Sequence, residues 1–226
     1  MNARIFNLFV LIVSLVLMSS ASGAAAQQPS PSLPFYQGEV GEVVAAQQQA
    51  RSVRLVGQIG GTTAAVAVQG NYAYVGDGPR LVILDVSNPT LPVVVGQTGV
   101  LPGLVEGVAL AGNYAYVADA GSGLRIIDVS NQSDPSEVGF YDTSGSALGV
   151  ALAGNFAYVA DYTGGLRIID VSDPAAPSEV GFYDTPGEAW GVALVGNYAY
   201  VADRDGGLII LSYLPYQVYL PLTQRN

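Results

Sequence analysis

A hexapeptide recurs four times at a spacing of 42 residues, and this repeat limits the possible folds more than any other feature of the chain. Each copy reads Gly-Asn-aromatic-Ala-Tyr-Val, and the copies begin at Gly70, Gly112, Gly154 and Gly196. A fixed period of this length is typical of repeat architectures in which each copy forms one structural unit. We therefore expect a fold assembled from four similar units.

Each unit has the pattern of four short strands. In the second copy, strands at 108–110 and 114–118 flank a Gly-Asn turn, whose glycine can supply the positive φ of a tight hairpin. A third strand at 124–129 ends at a turn rich in Pro and Asx residues, and a fourth follows at 137–141. Four antiparallel strands in about 40 to 45 residues are typical of a propeller blade. The sequence predicts an all-β fold, a β-propeller of four such blades.

The third strands share a second motif. It reads Leu-Val-Ile-Leu-Asp at 81–85 and Leu-Arg-Ile-Ile-Asp at 124–128 and 166–170, each followed by Val-Ser. With the hairpin and the Pro-rich turn in the same order from residue 53 to about 212, the chain resembles the LVIVD repeat family. That resemblance implies a propeller of the kind expected in bacterial secreted and surface proteins, and it implies no particular ligand. The fourth copy, at 208–212, lacks the Asp, as terminal repeats often depart from the pattern.

The ends of the array can be closed in three ways. Residues 53–59 match the fourth-strand segments and could pair with 207–211, which would close a four-bladed ring without an open edge. Residues 217–220 could instead form the outer strand of the last blade. Two chains could also join edge to edge in a larger homo-oligomeric ring. We expect the first arrangement.

The segments outside the repeats have simpler interpretations. Residues 1–26 contain an early Arg, an apolar run and a small-residue cleavage site, which predicts a signal peptide. The apolar run is shorter than the roughly 20 residues that span a membrane. We expect a secreted or cell-surface protein with a Pro- and Gln-rich linker at 27–52, a propeller at 53–215 and a tail at 216–226. The linker contains a possible short helix at 42–51.

Composition removes most catalytic chemistries. The chain has no His and no Cys, and all eight basic residues are Arg. Histidine- or cysteine-dependent triads and the usual zinc sites are therefore impossible, and we expect no enzyme activity, cofactor or metal. A net charge of −10 opposes contact with phosphate backbones, so nucleic acid is not an expected partner.

Acidic residues that repeat in every unit are predicted to fasten turns. One set follows the third strands and consists of Asp85, Asp128 and Asp170. The other set follows the second strands and consists of Asp77, Asp119, Asp161 and Asp203. The run Asp203-Arg204-Asp205 before two glycines resembles the start of a calcium loop, but the distal Glu is missing. A hairpin loop is the preferred interpretation there.

Positions that differ between copies are free to bind a ligand. They lie before the first strand and between the second and third strands, which we expect on one face of the propeller. They include the only Trp, and we predict a rim formed by Trp190, Glu188, Glu106, Leu148, Tyr162 and Arg204. The alternative is that Trp190 only fills the central channel.

The resulting expectation is a secreted, non-catalytic module that binds a protein or a glycan. A glycan hydrolase that uses Glu106 and Glu188 is one alternative, since two carboxylates suffice for that reaction. A purely structural assembly domain is the other.

Overall fold

The computed structural model describes residues 54–212, which form strands, turns and very little helix. Fifteen strands make three four-stranded sheets and one three-stranded sheet, and all neighbours are antiparallel. In this part of the chain the helical residues are limited to the 3₁₀ turn Arg204–Gly206, so none of its helices could cross a membrane. The predicted signal peptide, the linker with its possible helix at 42–51, and the tail at 216–226 lie outside the described residues.

Strands that follow one another in the chain are neighbours in each sheet, so each repeat forms one blade. Blade 1 contains β1 (Thr63–Gln69), β2 (Tyr72–Asp77), β3 (Arg80–Asp85) and β4 (Val93–Gln97). Blade 2 contains β5 (Gly107–Ala111), β6 (Tyr114–Ala118), β7 (Leu124–Asp128) and β8 (Ser136–Tyr141). Blade 3 contains β9 (Gly149–Ala153), β10 (Phe156–Ala160), β11 (Leu166–Asp170) and β12 (Ser178–Tyr183). Blade 4 contains β13 (Gly191–Val195), β14 (Tyr198–Ala202) and β15 (Leu208–Ser212). The predicted all-β propeller architecture of four blades is confirmed.

The Gly-Asn turn joins the first two strands of each blade, as predicted. Gly112 has a φ of 58°, and its three equivalents have φ values of 57° to 60°. A residue with a Cβ is disfavoured in this conformation, which explains the glycine at this step of every repeat.

Neighbouring blades pack through opposite sides of their strands. Val117 of blade 2 belongs to one apolar cluster with Ile83 of blade 1, whereas Ile126 of blade 2 belongs to another with Val159 of blade 3. All four side chains are fully buried. The first strands are innermost, and β1 packs on β5, β5 on β9, and β9 on β13. The core is therefore a series of layers between blades.

Blade 4 differs from the prediction. β15 is the edge of its sheet, and residues 54–60 form no strand, so the expected pairing of 53–59 with 207–211 is wrong for the described residues. Val53 itself and the alternative strand at 217–220 lie outside them. The physical reason is that β13 and β1 lack the packing that joins the other inner strands within the described chain. Residues 54–60 stay with blade 1, where Gly57 lies against the Pro89 carbonyl.

Candidate ligand-binding surface

One position in the loop after the second strand has a left-handed backbone in every blade. It is Gly78 in blade 1, Ala120 in blade 2, Tyr162 in blade 3 and Arg204 in blade 4, with φ values of 54°, 47°, 52° and 40°. This conformation costs a residue with a Cβ roughly 1 kcal/mol, and it costs glycine little. Blades 3 and 4 thus keep large side chains where glycine is the more stable choice. Residues kept at such a cost are candidates for a role outside folding.

The backbone fixes Tyr162 beside the segment that enters blade 4. Tyr162 and Ala189 exchange two backbone hydrogen bonds, both of 2.9 Å. Ala189 stands between Glu188 and Trp190 in the chain. The bridge therefore brings the Tyr162 side chain to the two predicted residues on either side of Ala189.

Four side chains meet at this point. The Tyr162 hydroxyl donates a hydrogen bond of 2.6 Å to Glu188 Oε1, and the Arg204 guanidinium pairs with Glu188 Oε2. Arg204 Cζ lies 4.9 Å from the centroid of the Trp190 ring. The Tyr162 ring meets Trp190 edge-on, with the two centroids 6.3 Å apart. We call Tyr162, Glu188, Trp190 and Arg204 the Trp190 cluster.

The Trp190 cluster is open to solvent. Trp190 is 50% exposed, and the side chains of Arg204 and Glu188 are 55% and 29% exposed. A tryptophan that only filled the channel would have lost most of this surface. The exposed indole and guanidinium are available to a ligand.

The cluster is an ion pair at neutral pH. The hydrogen bond from Tyr162, and next that from Arg204, hold the pKa of Glu188 below its ordinary value of 4.5. The bond to Glu188 in turn raises the pKa of Tyr162 above 10.0. Both carboxylate oxygens of Glu188 accept bonds from protein groups, while Arg204 keeps donors that face solvent. A glycosidase acid needs a raised pKa, so Glu188 is poorly suited to donate a proton.

The remaining two predicted residues stand in other blades. Glu106 and Leu148 hold the places of Trp190 in blades 2 and 3. Their backbone N–H groups donate to the second strand of their own blades at 2.9 Å, as that of Trp190 does. Among the described residues, the contacts of the Trp190 cluster do not include their side chains. The structure thus brings together four of the six predicted side chains.

The acidic residues after the third strands fasten turns, as predicted. Asp128 Oδ1 accepts a bond of 2.8 Å from the Ser130 N–H, and Asp85 and Asp170 make the same bond two residues on. Hydrogen bonds from the hydroxyl and the backbone N–H of the serine two residues on lower the pKa of each of the three carboxyls, and at Asp85 the hydroxyl contributes most.

The carboxylates after the second strands are buried in three of the four blades. Asp119, Asp161 and Asp203 are fully buried, and each accepts the N–H of a glycine in the loop that enters its blade. Asp203 also accepts a bond from Thr185, so its oxygens serve the loop, in agreement with the hairpin interpretation. Asp77 departs from the prediction because β2 runs through it to a shorter turn, which leaves it exposed.

Sequence reasoning missed a second type of arginine site. Arg125 in blade 2 lies 3.6 Å from Asp119, 3.6 Å from Glu137 and 3.1 Å from Asp142, with its Cζ 4.5 Å from the Phe140 centroid. Arg167 makes the equivalent contacts in blade 3. The available signal was that the two copies with this Arg also share a Glu-Val-Gly-Phe-Tyr-Asp segment.

Comparison with known proteins agrees with this architecture. The LVIVD repeat model matches residues 60–98, 102–143, 144–185 and 186–211. The crystal structure of the computationally designed Ika4 protein is similar at 12% identity with a TM-score of 0.59, covering 72% of this chain and 99% of that one. The designed Ika8 protein is similar at 11% identity with a TM-score of 0.56, covering 67% of this chain and 46% of that one. No curated protein matches the chain significantly.

Likeness at such low identity concerns the fold alone. The family match has a different weight, because its four segments span most of the chain and coincide with the four blades. The chain belongs to the LVIVD repeat family.

Proposed function

We propose that the protein is a secreted, non-catalytic β-propeller that binds an extracellular glycan or protein through the Trp190 cluster. The observation that supports this most is the pair of large side chains, Tyr162 and Arg204, held in a left-handed conformation. Both converge on the same exposed tryptophan. Their cost to the backbone is explained if they contact a ligand.

The chemistry of the cluster favours an uncharged ligand. Trp190 offers an apolar ring surface, and Arg204 offers hydrogen-bond donors beside it. The charges of Glu188 and Arg204 balance each other, while the whole chain carries −10. A nucleic acid or another polyanion is repelled, so a neutral sugar ring or a peptide segment fits this surface better.

Trp190 provides its own assay, because it is the only tryptophan of the chain. Titration with neutral oligosaccharides and with short peptides is expected to shift its emission at a saturable concentration. Arg204→Gly, which copies blade 1, and Tyr162→Ala, which copies blade 2, should weaken that binding at least tenfold. The introduced glycine and alanine already stand at the equivalent positions of blades 1 and 2, as Gly78 and Ala120, so the fold tolerates them.

Ala120→Gly is the matched control, since it makes the same kind of change in a blade outside the cluster. It should leave ligand affinity unchanged. Binding that survives both cluster variants, or that is lost equally in the control, would show that the ligand sits elsewhere.

Export has a separate test. Secretion with cleavage after Ala26 predicts that the protein recovered outside the cell begins at Gln27, as read by N-terminal sequencing. Protein that stays in the cell with its first residues intact would contradict this part of the proposal.

The alternative of a glycan hydrolase has less support. It requires a protonated acid beside an ionised carboxylate, and the lowered pKa of Glu188 leaves it only the second of these roles. The acid would have to be Glu106, which stands in blade 2 and makes no contact with the Trp190 cluster among the described residues. The alternative of an assembly domain does have a specific observation in its favour, and it concerns the other side of blade 4.

A further inference from the structure

Blade 4 presents to solvent the side that the preceding blades bury. Leu208 and Ile210 hold the positions of Leu124 and Ile126 in blade 2. Both blade 2 side chains are fully buried, whereas Leu208 is 64% and Ile210 is 55% exposed. We call Leu208, Ile210 and the adjacent Tyr200 the terminal face. Its residues have the chemistry of an interface between blades.

The backbone of the inner strand of blade 4 also lacks the next blade as a neighbour. A Cβ added to Gly107 would lie 2.9 Å from the Leu148 carbonyl oxygen of the next blade, and one added to Gly149 would lie 3.2 Å from that of Trp190. At Gly191, the equivalent glycine of blade 4, an added Cβ would meet nothing within 4 Å. The inner strand of blade 4 therefore has an unused position for another blade.

Among the described residues, no strand pairs with the outer edge of blade 4. Gly123 and Gly165 lie against carbonyl groups of the fourth strands of their blades, while a Cβ on Gly207 would have no neighbour within 4 Å. β15 reads Leu-Ile-Ile-Leu-Ser and carries neither the charge nor the proline that commonly protects an edge strand. Such a strand is suited to pair with another.

Blade 1 carries what blade 4 lacks. Gly57 lies against the Pro89 carbonyl of blade 1 in the way that Gly139 of the blade 2 outer strand lies against Pro174 of blade 3. Residues 55–59 thus occupy the place of an outer strand that belongs to a preceding blade. Three of their side chains are exposed and apolar, namely Leu55, Val56 and Ile59.

The side of blade 1 that faces a preceding blade is incompletely covered. Val75 and Val86 are partly exposed, whereas their equivalents in blade 2, Val117 and Val129, are buried. The two ends of the array are therefore complementary in shape, residue type and strand count.

We propose that the terminal face binds blade 1 of a second copy of this chain, with residues 55–59 of that copy pairing with β15 as its fourth strand. Two such contacts about a two-fold axis close a ring of eight blades. Each contact repeats the interface that already joins blades 1 to 2, 2 to 3 and 3 to 4. The chain's own blade 1 is not the occupant, because β1 and β13 lack that packing within the described residues.

Light scattering over a concentration series tests the assembly. The purified protein should have twice the mass of one chain, and Leu208→Glu with Ile210→Glu should halve that mass while the circular dichroism spectrum stays that of a β protein. Val100→Glu is the control, because Val100 is 66% exposed in the loop between blades 1 and 2 and should leave the dimer intact. A wild-type monomer at every concentration, or a dimer that persists in the charged variant, would overturn the proposal.

Cross-linking decides whether the contact is between copies or within one. The chain has no cysteine, and Ala64 is the blade 1 equivalent of Leu148, which approaches Gly107. Protein carrying Ala64→Cys is mixed with protein carrying Gly191→Cys and treated with a short bis-maleimide. A covalent dimer should form in the mixture and in neither protein alone. A double variant that links only within single chains would show closure by the chain's own blade 1 and would end the proposal.

Discussion

The protein contains two kinds of arginine cluster with similar chemistry and opposite surroundings. Arg125 stacks on Phe140 and contacts three carboxylates, and Arg204 stacks on Trp190 and pairs with Glu188. The Arg125 side chain is 8% exposed, whereas that of Arg204 is 55% exposed. The first cluster joins strands of its own blade, and the second leaves donors and a ring surface in solvent. Burial, rather than the residue types, separates a structural cluster from one that can bind.

The largest effect is expected when the buried Arg125 cluster is broken. Arg125→Met leaves Asp119 buried without its cation, which should cost about 3 to 5 kcal/mol of unfolding free energy. The same change at Arg204 should leave the urea midpoint unchanged, because that pair is exposed. Equal destabilisation by the two variants would remove the distinction between the clusters.

The cost of Arg125→Met should also depend on pH. Burial already raises the pKa of Asp119, and Arg125 acts against that rise. Without Arg125 the folded-state pKa rises further above the unfolded value, so the folded protein binds the proton more tightly and stability falls as pH increases through that window. The deficit should therefore be smaller in mildly acidic buffer than at neutral pH.

A second comparison concerns two isoleucines at equivalent positions, one in blade 2 and one in blade 4. Ile126→Ala empties a fully buried site between blades 2 and 3 and should cost about 2 to 5 kcal/mol. Ile210→Ala, at the exposed equivalent, should change stability by less than about 0.5 kcal/mol when the protein is dilute enough to be monomeric. A large loss for dilute Ile210→Ala would mean that its side chain is covered within one chain.

The Arg125 and Arg167 clusters differ in the hydroxyl bonds that their buried carboxylates accept. Thr143 donates its hydroxyl to Asp161 Oδ1, but Leu101 holds the equivalent place in blade 2, where Asp119 Oδ1 is buried without a partner among the described residues. Thr143→Val should make blade 3 resemble blade 2 at a cost of about 1 to 3 kcal/mol. Thermal unfolding that is unchanged by this variant would show that water already replaces the hydroxyl.

The smallest effect is a shift in the pH at which Glu188 of the Trp190 cluster titrates. The lowered pKa of Glu188 means that its pairing with Tyr162 and Arg204 persists through neutral pH and is lost only as pH falls below its ordinary value of 4.5. Trp190 emission should change over that acidic range. Arg204→Gly should move the midpoint upward, and an unmoved midpoint would mean that Arg204 does not stabilise the carboxylate.

The repeat period made most of the fold predictable from sequence. The strands of the second unit, the Gly-Asn hairpins and the Asp128-type turns depend on residues close together in the chain, and the structure has those strands within one residue of their predicted bounds. The convergence of Trp190 with Tyr162 followed from comparing copies. The closing strand was misjudged because residues 53–59 have the right pattern, while the angle between successive blades depends on side chains along three separate layers.

Other features needed coordinates for similar reasons. Ala147 beside Leu148 makes the same kind of bridge, to Ala120, that Ala189 beside Trp190 makes to Tyr162, and the structure is needed to show that this bridge brings the residue after the second strand to the next loop. Burial of Arg125 depends on residues from its loop, its outer strand and the segment that follows. No local pattern reports such a meeting of distant segments.

The layered core also bears on how arrays of this kind change in length. Each layer is formed by two adjacent blades, and the residues on its two sides are nearly the same from one layer to the next. Loss or duplication of one whole repeat in a gene would join two faces that already have the right partners. The blade is thus the unit that gene duplication or deletion can add or remove without requiring a new core.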